Sequence, residues 1–451
     1  MAMIDKKEEI NRICKAVIER IKPKDTEREN VKAITNSIIT NLNTKALELG
    51  ITANAISVGS TVRNTWVSGE ADIDIFIMFP ADMSEEDLKE KGLTLAKSVS
   101  VRYEERYASH PYIHAYFYAA GTEHEMDIVP CFAVKEAALL KSAVDRTPFH
   151  TEYVVQHISG LEDEVLLLKQ FMKCLGIYGS EQRRKGFSGY LCELLILKYG
   201  SFVELMTNAS QWQYGVRIDL EGHGKYRGEE PLIVIDPVDP KRNVAAAVSL
   251  YSFCKLIDTA REFLAQPDRK FFMPREGKPM SEAEIRKLVK ARGTEFVAVM
   301  FDAPDVVEDQ LFPQLRKAEA SILNLIERNE FRVYRSDVTV EDGKAILVFE
   351  FLVWQLPKLK QHMGPPVTSE AHAAKFKSKH SPPYLIKNGK YAVEVERKYT
   401  DVVSLLEHEL NSCSLGKDVS ESVEKGYEVL KTEEIRGGLG YFFSAYFGVP
   451  V

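Results

Sequence analysis

This chain has few of the features that would take it out of an ordinary soluble setting. No apolar run approaches the roughly 20 residues needed to span a bilayer. The start, Met1-Ala2-Met3-Ile4-Asp5-Lys6-Lys7-Glu8-Glu9, turns charged at once and builds no signal core. Six cysteines (Cys14, Cys131, Cys174, Cys192, Cys254, Cys413) lack paired spacing, which argues against a zinc site or disulfide frame and for a reducing cytoplasm. Basic charge is also short: 59 Lys and Arg stand against 66 Asp and Glu, a net −7. No global field therefore draws nucleic acid in, although local basic stripes can still bind phosphate. No internal repeat is visible.

What is present is a chain of 451 residues, 45% hydrophobic and 28% charged, long enough for two to four domains with real cores. Its most informative stretch is Gly59-Ser60-Thr61-Val62-Arg63-Asn64-Thr65-Trp66, followed by Gly69-Glu70-Ala71-Asp72-Ile73-Asp74-Ile75-Phe76-Ile77. Strand periodicity puts Asp72 and Asp74 on one face and Ile73 and Ile75 on the other. Like charges side by side repel. A divalent cation removes the conflict, and oxygen-only ligands suit Mg²⁺. Glu123-His124-Glu125-Met126-Asp127-Ile128 alternates in the same way. Paired beside the first strand, it would bring Asp127 into a three-carboxylate cluster able to hold two Mg²⁺ ions. A lone Asp-x-Asp is more often the solvated face of an edge hairpin. The ordered coincidence of turn, acidic pair and apolar strand favours the metal reading.

Around this motif the pattern predicts amphipathic helices over 5–21 and 26–49, the second opened by a Thr26-Glu27-Arg28-Glu29 capping box. A helix from Ser84 to about Tyr107 and strands near 112–119 and 123–129 complete a compact α/β unit. Residues 151–265 read as mostly helical, with a strong helix at Leu161–Leu175, a short strand at Leu232–Ile235 and a helix over Ala245–Ala265. The last third shows strand 295–301, helix 306–328 and strands 330–337 and 344–354, a β-α-β-β order of RRM-like, ferredoxin type. Five prolines and a basic run make 357–390 a loop-rich insertion, and a helical subdomain is expected near 400–432. The domains predicted are 1–150, 151–265 and 266–451.

Gly59-Ser60, eleven residues, then Asp72-Ile73-Asp74-Ile75 resembles the signature of the DNA polymerase beta nucleotidyltransferase superfamily. Within it, the wording resembles the archaeal (class I) CCA-adding enzymes, the tRNA nucleotidyltransferases. Three more segments carry that resemblance: His124–Cys131, Ser142–His150 and Val234–Ala246. The Glu-Asp-x-x-Arg helix of the bacterial and eukaryotic enzymes is absent from the sequence, which fits the archaeal class. Family members often carry Glu where Asp72 stands; Asp keeps the charge with a shorter reach.

The resemblance implies an α+β, multidomain protein: a polymerase-beta-like head of mixed sheet and helices, a helical neck, an RRM-like α/β body and a helical tail. It implies an enzyme that adds or repairs the 3′-terminal CCA of tRNA from CTP and ATP without a nucleic-acid template. Pyrophosphate leaves in a two-metal (Mg²⁺) nucleotidyl transfer. The acceptor and T arms of tRNA would be held by body and tail. It leaves room for a homodimer.

By the same resemblance, Asp72 and Asp74 would ligate both metals, and Asp127 the one that activates the RNA 3′-hydroxyl. Ser60 and its turn amides can bind phosphate oxygens, and Arg63, one helical turn on, can place a fork-shaped cation on the triphosphate. Lys169 falls at the margin of the apolar stripe Val165, Leu168, Phe171, Met172 and Leu175, where snorkelling to solvent competes with triphosphate contact. Tyr178 matches a nucleotide-contacting tyrosine, with core packing as the second reading. His150 matches a nucleotide-site position. Arg242 is the candidate for reading the base, against a plain ion pair with Asp236 or Asp239. Basic runs at 182–185 and 375–380, Arg397-Lys398, and Tyr199, Tyr384 and Tyr399 are candidate RNA contacts. Two other readings keep part of this: a poly(A) or oligoadenylate-type polymerase, and a catalytically silent RNA-binding protein.

Overall fold

The computed structural model describes residues 2–448 other than 108–109, 120–121, 137–138, 225, 275–277 and 435–438. Two compact units emerge, Met1–Pro274 and Arg275–Val451. No helix among the described residues is long and apolar enough to cross a membrane.

The first unit begins with helices α1 (Ala2–Ile21) and α2 (Asp25–Glu48). The expected Thr26 capping box does not form: α2 starts at Asp25, after Lys24, with no side-chain cap. Glu27 instead accepts hydrogen bonds from Ser68 Oγ and Gly69 N, each 2.8 Å. Strand β1 (Asn54–Val58), not foreseen from sequence, runs into the one-turn helix α3 (Gly59–Arg63) and then β2 (Ile73–Pro80). Helix α4 (Glu85–Val99) starts on its Ser84 cap but stops short of Tyr107. Its apolar period fades there, and Arg102–Tyr107, exposed almost throughout, becomes edge strand β3. Strands β4 (Pro111–Ala119) and β5 (Thr122–Ala133) complete a sheet of order β1-β2-β5-β4-β3. Only β2 and β5 pair in parallel, so the sheet is mixed. Ile73, Ile75, Ile77 and Phe79 bury one face together with Val31, Ile38 and Leu42 of α2 and Leu88 and Leu95 of α4. The even-numbered residues of β2, Asp74 among them, therefore point to the opposite face.

Helices α5 (Thr147–His157), α6 (Glu162–Cys174), α7 (Gly189–Tyr199) and α8 (Phe202–Ala209) follow. A short parallel pair, β6 (Val216–Asp219) and β7 (Leu232–Ile235), leads to α9 (Leu250–Ala265). Helix α9 starts five residues later than its periodicity suggested. Asn243 holds the preceding turn: its Oδ1 accepts from Val234 N and Ala245 N, and its Nδ2 donates to Leu232 O. Ser249 then supplies the cap. Val165, Leu168, Phe171 and Met172 of α6 are fully buried in a helical core that also takes Ile10, Ile13 and Val17 of α1 and Phe271 and Phe272.

In the second unit, α10 (Glu282–Arg292), β8 (Glu295–Asp302), α11 (Glu308–Arg328), β9 (Arg332–Glu341) and β10 (Lys344–Val353) come first. The 357–390 stretch is not the loop expected but β11 (Leu359–Pro366), α12 (Glu370–Lys379) and β12 (Leu385–Lys387), joined by β13 (Lys390–Glu396) in a separate sheet, β11-β13-β12. Its prolines fall at the end of β11 (Pro365, Pro366) or between the elements (Pro357, Pro382, Pro383). Helices α13 (Val402–Glu409) and α14 (Lys417–Lys425) precede β14 (Tyr427–Lys431) and α15 (Gly440–Tyr446). The 400–432 region is thus not wholly helical, because β14 joins the main sheet. That sheet runs β14-β8-β10-β9, antiparallel throughout, the ferredoxin-type arrangement.

Candidate active site

The sheet's outer face carries a row of polar side chains across three neighbouring strands. Asp74 on β2 stands opposite Asp127 on β5, and Asp127 opposite His114 on β4. Asp72 lies just before β2. His114 Nδ1 sits 2.6 Å from Asp127 Oδ1, and its Nε2 is 3.5 Å from Glu125 Oε2. Alternation placed His114 on a strand, but nothing in the sequence singled it out; only its register opposite Asp127 does so.

Burial and neighbouring negative charge together raise two of these carboxyls, Asp72 and Asp74. Burial first, then Asp127 and Asp72, pushes the Asp74 carboxyl up to about 7, with Arg63 opposing. Asp72 is also raised, by desolvation and then by Asp127 and Glu125. Gly59 makes the close packing here achievable. Its φ is +80°, and a Cβ would meet Asp74 Oδ2 at 2.2 Å, so no other residue fits.

Among the described residues, no three His, Cys, Asp or Glu side chains already converge on one ion-sized point. The donor set nonetheless suits a hard divalent cation: carboxylate oxygens only, with an excess of negative charge that raises Asp74.

These acids form one wall of a cavity of about 300 Å³, and cations form the other. Ser60 and Arg63 reach it from α3, Lys169 from α6, Tyr178 from the segment after α6, and Gly189 and Tyr190 from the first turn of α7. Lys169 does not snorkel: it is 3% exposed and its Nζ donates to Thr65 O at 2.7 Å. Arg63, also buried, ion-pairs with Glu193 (Nε to Oε1, 3.2 Å). Tyr178 packs against the helical core and also lines the cavity. A Cβ on Gly189 would sit 3.1 Å from Tyr178 Oη and 3.4 Å from Lys169 Nζ, so the glycine keeps space between them.

His150 and Arg242 do not line this cavity. Both converge on Asp236, which is fully buried: His150 Nε2 lies 2.9 Å and Arg242 Nη1 2.8 Å from Asp236 Oδ2. The ion pair with Asp236 is thus the arrangement present for Arg242, while Asp239 is taken by Arg146 at 3.1 Å. Burial alone would raise Asp236, but hydrogen bonds and charge from His150 and Arg242 outweigh it and hold the carboxyl at about 2. His150 is lowered by burial, with Asp236 opposing. Tyr190 joins the two groups. It lines the cavity, stacks on His150 at 3.9 Å and donates to Asp236 Oδ1 at 3.2 Å.

The candidate RNA contacts are mostly engaged elsewhere. Tyr199 packs beside Trp212, whose Nε1 donates to its hydroxyl. Arg397 pairs with Glu330, Lys398 with Glu409, and Tyr399 donates to Glu409 at 2.7 Å. Tyr384 donates to His380 O, and Lys377 lies over the Tyr391 ring. Arg184 is tied to Glu181 and to Tyr178 O.

Comparison with known proteins gives three family matches. Residues 292–432 match the CCA-adding enzyme C-terminal domain, and 163–273 the tRNA nucleotidyltransferase second domain. Residues 9–146 match the Second Messenger Oligonucleotide or Dinucleotide Synthetase domain. Relatives named CCA-adding enzyme run nearly the full length. That of Methanosarcina barkeri is 45% identical, covering 96% of both chains. That of Methanosarcina mazei is 43% identical over 93% of this chain and 94% of its own. That of Archaeoglobus fulgidus is 40% identical over 86% and 88%.

Proposed function

Since the chain belongs to the archaeal CCA-adding enzymes and is a CCA tRNA nucleotidyltransferase, we propose that the cavity between β2, β5 and α6 is where nucleotide and tRNA end react. One observation carries this: Asp74 and Asp127 are register partners, facing Arg63 and Lys169 across a single cavity. Acids and cations so placed match the two halves of a metal-bound triphosphate.

In this reading Asp72, Asp74 and Asp127 hold Mg²⁺, two ions by the family's pattern. When bound, the metal lowers the barrier by neutralising charge on the attacking and leaving oxygens. The chain's own residues do the rest. Arg63, Lys169 and the Ser60 turn draw the triphosphate against the acidic wall and fix its direction. His114 holds the Asp127 carboxylate in one orientation. Arg242 and His150, organised by Asp236 outside that cavity, read the base of a nucleotide that extends beyond it. Cytosine and adenine both offer an exocyclic amino donor beside a ring-nitrogen acceptor, so one pocket with a fixed donor and acceptor can accept both. The substrates are then CTP, ATP and tRNA, with 1–150 as head, 151–265 as neck and 266–451 as body and tail, in the cytoplasm.

The test is product composition on tRNA lacking its terminus. CTP alone should add two residues, ATP alone nothing, and both together C, C and A, with pyrophosphate released. A run of adenylates from ATP alone would overturn the reading in favour of a poly(A)-type activity.

A further inference from the structure

Glu193 is an acid where the sequence offers only apolar neighbours, in Gly189-Tyr190-Leu191-Cys192-Glu193-Leu194-Leu195-Ile196. It is fully buried on α7. One oxygen, Oε1, accepts from Thr65 Oγ1 at 2.5 Å and lies 3.2 Å from Arg63 Nε and 3.9 Å from Lys169 Nζ. Thr65 closes the ring, because its carbonyl accepts from the same Lys169 Nζ at 2.7 Å. The other oxygen, Oε2, is buried without a hydrogen-bond partner among the described residues, as is Arg63 Nε. A buried carboxylate left half-satisfied is costly unless it serves something.

We propose that Glu193 is a positioning residue for nucleotide binding: from behind the cavity it anchors Arg63 and Lys169 side by side, aimed at the triphosphate. This rests on the site reading above. Two cations this close repel, and neither would stay fixed in a buried space without an anion between them. Glu193 supplies that anion from the Nε side and engages Arg63 only by charge, while Arg63 also lines the cavity. Burial pushes the Lys169 ammonium below its ordinary value, and Glu193 is the largest influence holding it up.

The experiment compares Glu193→Gln and Thr65→Val in the full-length enzyme, measuring KM and kcat for CTP and ATP, ATP binding by calorimetry in EDTA, tRNA affinity and thermal unfolding. Glu193→Gln should raise KM for both nucleotides about tenfold and weaken ATP binding in parallel. Its kcat at saturation should stay within about twofold of wild type, with tRNA affinity unchanged. Thr65→Val keeps the charges but releases the aim of Oε1; a rise of about threefold in KM is expected. Unchanged or tighter nucleotide binding in Glu193→Gln, or a fall confined to kcat, overturns the proposal. Should that variant fail to fold, Thr65→Val decides alone, and an unchanged KM overturns it. Arg63→Ala and Lys169→Ala separate the two readings. If they weaken nucleotide binding while Glu193→Gln does not, only the role of Glu193 falls. If they leave it unchanged, the site reading falls and takes this inference with it.

Discussion

Two aspartates, one lining the cavity and one fully buried beside it, show opposite electrostatics. Asp74 has two carboxylates for neighbours, and burial drives its carboxyl up to about 7. Asp236 is fully buried, yet it holds near 2 because His150 and Arg242 both turn toward it. Burial is common to both; partners decide the sign. Asp236 has its full set of partners and organises its neighbours. Asp74 is left with negative charge that only something from outside the chain can neutralise.

The largest effect should come from removing that excess. Asp74→Asn should cut nucleotide incorporation on the order of 10³-fold or more while tRNA binding, measured by filter retention, stays intact. In EDTA the same variant should melt at a higher temperature than wild type, because it removes one of three repelling charges. A lower melting temperature would mean the carboxylate is a structural partner like Asp236, and the contrast would fail.

Next comes Arg242→Ala, expected to cost between about 10- and 100-fold in discrimination of CTP and ATP against UTP and GTP, read by competing nucleotides on truncated tRNA. Asp236→Asn should relax the same choice by disorganising Arg242, and destabilise the fold by about 2 kcal/mol once screening at the half-exposed arginine is allowed for. Its pH dependence has a definite sign. Asp236 is depressed from 3.8 to about 2 in the folded state, so its contribution is complete above pH 4 and lost as pH falls through about 2. Urea midpoints between pH 2.5 and 5 should fall for wild type and stay flatter for Asp236→Asn.

Strand period fixes a face without any knowledge of neighbours, so Asp74 and Asp127 could be placed by counting, whereas Asp72 falls just before β2, outside the strand that the count assumed. The pairing of β2 with β5 needed the fold, since nothing local says which strand lies beside which. Charged side chains on helices were harder. Lys169 read as a margin residue because α6 shows an apolar stripe, but Leu166 and Leu167 are buried too, so the helix is enclosed and its lysine with it. Glu193 carried a readable signal, a single acid in an apolar helix, that only became meaningful with Arg63 and Lys169 beside it. Strand β3 was lost to the helix before it because Arg102–Tyr107 lacks an apolar face; it is held by pairing with β4 and by ion pairs such as Arg102–Glu123. The 357–390 insertion misled through its prolines, which mark strand ends as readily as loops.

The smallest expected effect probes Tyr190, which lines the cavity and also touches Asp236. Tyr190→Phe removes the hydroxyl that donates to Asp236 Oδ1 but keeps the ring stacked on His150. Oδ1 still accepts from Val238 N at 3.1 Å, and Oδ2 keeps both His150 and Arg242. One hydrogen bond to a charged acceptor with other partners is worth about 1 kcal/mol, so unfolding should shift by that much and base choice should not. Arg242 is held through the oxygen that Tyr190 does not touch, which is why selectivity should survive. If Tyr190→Phe instead relaxes selectivity as far as Arg242→Ala does, the hydroxyl couples the two groups. The acidic row and the Asp236 cluster would then have to be treated as one site.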